Sequence, residues 1–153
     1  MFMEEIIGIE KDKLGNEIKI GFCKQCQFTS VIVTAFFLRQ WAELIELGFA
    51  DSTHIPNITS CRVLYLMYND TIIGLRIWSW YNNTTNIILT SIDKNYRRRG
   101  LFEIITKHYD KRVKNGGSVK SKTQIHVNNV AMIKAAEKTG YEIEFVRMVK
   151  KYK

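Results

Sequence analysis

The chain has 153 residues, 46% hydrophobic and 25% charged, which fits a single domain (1–153) with a core of its own. No apolar run is long enough to span a membrane, and the start, Met1-Phe2-Met3-Glu4-Glu5, lacks a secretory signal's basic head, so the chain is expected to be cytoplasmic. The net charge of +8 is uneven: residues 1–90 carry 7 Lys+Arg against 9 Asp+Glu, and residues 91–153 carry 16 against 6. The second half attracts anions, which leaves open a phosphorylated cosubstrate or a nucleic acid as partner. Cys23, Cys26 and Cys61 make an odd count that argues against a disulfide framework. Cys23-Lys24-Gln25-Cys26 has the spacing of half a zinc site, but no second pair completes four ligands, and no metal is expected.

In chain order, Glu5 to Ile20 alternates weakly and predicts one or two short strands turning at Leu14-Gly15-Asn16. Phe37, Trp41, Leu44 and Ile45 fall at helical spacing within Thr34 to Leu47, and Gly48 stands where a C-cap belongs. Val63–Tyr68 and Ile72–Tyr81 read as strands joined by a hairpin at Asn69-Asp70. Asn82 to Thr85 turns the chain into a buried strand, Asn86 to Ile92. Leu101, Ile104, Ile105, Tyr109 and Val113 then mark a helix stopped by Asn115-Gly116-Gly117. Val119–Val127 predicts a strand, Asn128 or Asn129 to Thr139 a helix ended by Gly140, and Ile143–Val149 a last alternating strand. The fold class is α/β (α+β), a mixed, mostly antiparallel sheet with helices on both faces.

The most informative run is Ile92-Asp93-Lys94-Asn95-Tyr96-Arg97-Arg98-Arg99-Gly100-Leu101-Phe102. A strand runs into a cationic turn, and Gly100 sits where a helix begins. The first amides of a helix lack intrahelical partners and its dipole is positive there, so three arginines beside it make a receptor for phosphate. Gly100 has no Cβ, which lets a phosphate oxygen approach the backbone.

Residues 86–149 resemble the GNAT superfamily of acyl-coenzyme A-dependent N-acyltransferases. That family's pyrophosphate loop, [Gln/Arg]-x-x-Gly-x-[Gly/Ala], is matched by Arg97-Arg98-Arg99-Gly100-Leu101-Phe102, with Phe102 replacing the final small residue. Its Asn-helix-Glu-Lys-x-Gly-[Phe/Tyr] block is matched by Asn129 through Glu137-Lys138-Thr139-Gly140-Tyr141. The resemblance implies acetyl-coenzyme A as cosubstrate, with its pyrophosphate on Arg97 to Phe102. It also implies a pantetheine arm lying between two splayed strands, against Ile92 and the Asn129 side chain. The implied reaction is acyl transfer to a primary amine of a small molecule or protein, by a monomer or homodimer. Two alternatives stay open: an enzyme of this fold that modifies a nucleic-acid base, and a module that holds acyl-coenzyme A without turnover.

The usual proton-transfer groups are absent. No carboxylate lies between Asn86 and Ile92, where many members carry a base, and Ala136 stands where many carry an acidic tyrosine. His126, Ser91 and Asp93 are the catalytic candidates, His126 because a histidine takes up a proton near neutral pH. His54, Trp78, Trp80 and Tyr81 are candidates for an acceptor pocket. The sequence given leaves no room after Val149 for the family's seventh strand, so the acceptor side is expected to be trimmed, or supplied by the amino-terminal strands or a second subunit.

Overall fold

The computed structural model describes residues 5–24, 31–58 and 60–152. Its strands, β1 (Glu5–Lys11), β2 (Glu17–Cys23), β3 (Arg62–Tyr68), β4 (Thr71–Tyr81), β5 (Thr84–Ile92) and β6 (Lys120–Thr123), lie side by side in chain order. Neighbours are antiparallel up to β5, and β5 pairs with β6 in parallel. The short turns explain the antiparallel part. The parallel step needs a crossover, supplied by helix α2 (Leu101–Asn115). Helix α1 (Val31–Glu46) links β2 to β3, and α3 (Val130–Lys138) follows β6.

Turn chemistry matches the sequence pattern. Asn69-Asp70 and Asn82-Asn83 each take two consecutive positive φ angles, 47° and 60° then 47° and 59°, the geometry of a two-residue hairpin that Asn and Asp tolerate. In the β1–β2 turn the buried Asp12 carboxylate accepts from the Leu14 and Asn16 amides at 2.9 and 2.8 Å.

Each face of the sheet is covered by one helix. Val33, Phe36 and Phe37 of α1 pack on Val63, Tyr65, Leu75, Ile77 and Leu89. On the other face Leu101, Ile105, Tyr109 and Val113 of α2 pack on Ile20, Leu64, Leu66, Ile73 and Trp78. Trp78, one of the acceptor-pocket candidates, is fully buried, edge-on to Tyr109 at 5.0 Å, and belongs to this core.

Two expectations are corrected. The strand expected over Val119–Val127 is only Lys120–Thr123, because beyond Thr123 the chain leaves the edge of β5. The last strand, Ile143–Val149, does not form, and Ile143, Phe145, Val146, Met148 and Val149 are exposed. A strand needs an edge to pair with, and a four-residue β6 gives this segment little ladder to extend. The Lys120–Glu144 ion pair ties it to β6 through side chains.

Candidate active site

The parallel pairing of β5 and β6 runs from Thr84 opposite Lys120 to Ile87 opposite Thr123 and stops there. β5 continues to Ile92 without β6 beside it. At the point of parting the β4–β5 register slips: Ile77 faces Leu89 and Trp78 faces Ile87, so Ile88 is an extra residue. Such a bulge breaks the ladder locally and re-aims the strand. A cleft of about 100 Å³ fills the gap, with Ile87, Ile88, Thr123, Gln124 and Asn129 on its walls. Asn129 is held there as the N-cap of α3, its Oδ1 accepting from the Met132 amide at 3.4 Å.

The open end of β5 leads into the arginine turn. Asp93 caps a single 3₁₀ turn, Lys94–Tyr96, by accepting from the Asn95 amide at 2.9 Å. Arg98 and Gly100 are left-handed, with φ of 63° and 78°, and no side chain caps α2 at Gly100. The amides of the first turn of α2 thus have no capping side chain, as an anion site requires. The arginines divide the work. Arg97 donates through Nε to the Ile92 carbonyl at 3.0 Å and pairs through Nη2 with Glu43 of α1 at 2.9 Å, bracing the loop. Arg99 donates to the Asn95 carbonyl at 3.3 Å and lies over the Tyr96 ring, whereas the Arg98 side chain is exposed. Lys13, from the β1–β2 turn, was not foreseen: its amide donates to the Arg99 carbonyl at 3.0 Å, and its stem crosses Gly100, 3.3 Å from where a Cβ would stand. Leu101 is buried in the α2 core, so only its backbone faces the turn.

A second unforeseen group is Arg76 of β4, which lines the cleft at 1% exposure. Its Nε donates to Thr90 Oγ1 at 2.9 Å and its Nη2 to Thr106 Oγ1 at 3.2 Å. The Tyr109 and Phe102 rings lie 4.7 and 5.4 Å from its guanidinium carbon. Phe102, the departure from the family loop, thereby becomes a cover for a buried cation. Arg76 makes no ion pair among the described residues, and Nη1 is buried without a hydrogen bond. Burial pulls its pKa down and raises that of Asp110, the carboxyl whose field it feels. The Tyr141 hydroxyl, also on the cleft wall, is buried without a hydrogen bond of ordinary length beside Ser121, and burial pushes its pKa up to about 12.

The catalytic candidates separate. Ser91 donates to Gln40 of α1 at 2.5 Å, and Asp93 meets Arg39 at 3.5 Å; neither lines the cleft. His126 does line it, stacked near Phe49 at 5.7 Å, with Nδ1 accepting from the Asn128 amide at 3.2 Å. In the neutral ring that bond puts the proton on Nε2. Ala136 faces the cleft, as the resemblance implies, but offers only a methyl. Trp80 lies under Arg62, and His54 and Tyr81 are exposed. Cys23 and Cys61 are buried, burial raising the Cys61 thiol, while Cys26 lies outside the described residues.

No protein-family profile matches the chain, and no curated protein matches it. Solved structures do. An aminoglycoside acetyltransferase from an uncultured soil metagenomic sample, in complex with sisomicin, matches at a TM-score of 0.64 and 14% identity over 89% of this chain and 97% of its own. An aminoglycoside N-acetyltransferase in complex with coenzyme A matches at 0.54 and 16%, over 76% and 92%. A putative acetyltransferase from Bacillus subtilis matches at 0.58 and 17%, over 78% and 88%. With the splayed β5–β6 pair and the loop before α2, this likeness shows that the chain has the fold of the GNAT acetyltransferases.

Proposed function

We propose that the protein is an acyl-coenzyme A-dependent N-acyltransferase that moves acetyl or a related acyl group from a thioester to a primary amine. One observation carries this reading: the uncapped amino terminus of α2, with its arginines, follows the free end of β5, and Phe102 of that first turn lines the cleft where β5 and β6 part. That shape suits a long ligand with phosphates at one end and a reactive group at the other. Several cations of the basic half are already paired within the molecule, including Lys107 with Glu10 at 2.6 Å, which favours a cosubstrate over a nucleic acid.

In this reading the backbone from Gly100 to Phe102, with Arg98, Arg99 and Lys13 around it, holds the pyrophosphate, and Arg97 keeps the loop in place. The free edge of β5 from Ile88 to Ile92, with Asn129 opposite, takes the pantetheine arm. The neutral amine attacks the thioester carbonyl carbon. The C–N bond forms, the C–S bond breaks, coenzyme A leaves as thiolate, and the proton lost by nitrogen makes up its thiol through solvent. Backbone donors freed by the bulge at Ile88 are the groups suited to the oxyanion. With a methyl at Ala136, and with the basic nitrogen of His126 already engaged, positioning carries most of the rate gain. Ser91 and Asp93 fix β5 and its turn to α1.

The test is calorimetry with coenzyme A followed by mass spectrometry of an amine panel incubated with acetyl-coenzyme A. Saturable binding and a singly acetylated amine are expected. No coenzyme A binding would sink the reading; binding without product would mark a holder of acyl-coenzyme A.

A further inference from the structure

Arg76 places in the cleft wall a buried guanidinium that no carboxylate among the described residues contacts directly, Asp110 acting on it only through its field. Its partners are two threonine hydroxyls and two aromatic faces, no carboxylate among the described residues pairs with it, and Nη1 has no acceptor. Buried guanidinium groups are ordinarily paired, because desolvating an uncompensated charge is costly. The Tyr141 hydroxyl repeats the pattern on the same wall. Its field reaches Arg76, and burial keeps it protonated, so beside its weak neighbour Ser121 it is a donor available to a ligand oxygen.

Both groups flank the end of the cleft where β5 and β6 come together. Arg76 is opposite Thr90, just past the bulge, and Tyr141 is beside Ser121 in the paired part of β6. On the reading above, which this inference rests on, that end receives the acyl group. We propose that the protein transfers an acyl group bearing a terminal carboxylate, of the succinyl or malonyl class, and that Arg76 with Tyr141 receives that carboxylate. A neutral alkyl chain would leave Arg76 Nη1 without an acceptor and the Tyr141 hydroxyl without one at ordinary hydrogen-bond distance. A carboxylate supplies both the acceptors and the compensating charge. The transfer step is unchanged: nitrogen bonds the thioester carbon, sulfur departs, and the distal carboxylate stays ionised.

Calorimetry without acceptor tests the idea, using coenzyme A, butyryl-coenzyme A and succinyl-coenzyme A. The wild-type protein is expected to bind succinyl- over butyryl-coenzyme A by about 10- to 100-fold, the range for hydrogen bonds to a charged group. Arg76→Met is expected to erase that preference. If that variant fails to fold, Tyr141→Phe, which keeps the ring, is expected to cut it by about threefold or more. Equal affinities for the two thioesters in the wild-type protein would overturn the carboxylate assignment while leaving coenzyme A binding intact. Failure of coenzyme A itself to bind would overturn the earlier reading instead.

Discussion

Gly100 is the position where phosphate binding can be separated from folding. It is the N-cap of α2 with φ of 78°, and a Cβ there would stand 3.3 Å from Lys13 Cε, the flexible end of a side chain. Any L-residue therefore costs about 1–2 kcal/mol for the left-handed backbone, and a few tenths more while Lys13 shifts. In a chain of this size that lowers Tm by roughly 2–8 °C. Gly100→Ala carries this cost and no charge. Gly100→Glu adds a carboxylate at the first amides of α2, where a pyrophosphate should lie. Two unit charges about 5 Å apart at an effective dielectric near 20 repel by about 3 kcal/mol, which solvent and salt reduce to about 1.5–2 kcal/mol, or roughly 10- to 30-fold. The assay is coenzyme A titration calorimetry on both variants, with circular dichroism melts alongside. Similar melts are expected, with affinity lost mainly in Gly100→Glu. If the folded glutamate variant binds coenzyme A as the alanine variant does, the α2 terminus is not the phosphate site.

Three further outcomes follow from the same geometry. A Cβ at Gly21 would lie 2.1 Å from the buried Tyr65 ring, so Gly21→Ala should cost about 2–3 kcal/mol and lower Tm by roughly 5–10 °C in a thermal melt; an unchanged melt would mean the ring is free to move. Hydrogen bonds from Lys107 and then His108 hold the Glu10 carboxyl below its usual range, so its stabilisation is present above the unfolded carboxylate pKa and lost as pH falls through the depressed folded one. The pair is partly exposed, so Glu10→Gln should lower Tm by only about 1–3 °C at neutral pH, and a gap that persists at about pH 2 would contradict this origin. His126→Ala should leave kcat/KM within about threefold, since the free lone pair of the ring is already used; a fall of about 100-fold or more in a steady-state assay would make His126 the base.

Local signals were readable in the sequence because they depend on neighbours along the chain. Asn69-Asp70 and Asn82-Asn83 turn the meander, Gly48 and Gly140 end helices, and the run from Ile92 to Phe102 announces a cationic helix start. The resemblance in Arg97 to Phe102 and Asn129 to Tyr141 led to the fold that the solved structures show. What the sequence misjudged was pairing, since alternation over Ile143–Val149 states a preference and supplies no edge to satisfy it. What it left out was anything assembled from distant segments. Lys13 reaches Gly100 from the far end of the chain, and Arg76 meets Thr90, Thr106, Phe102 and Tyr141 only once β4, β5, α2 and the segment after α3 close around it. In the sequence Arg76 is one arginine within an apolar strand. Only the packed fold buries its charge and leaves it unpaired, because desolvation and pairing are properties of an environment and not of a residue.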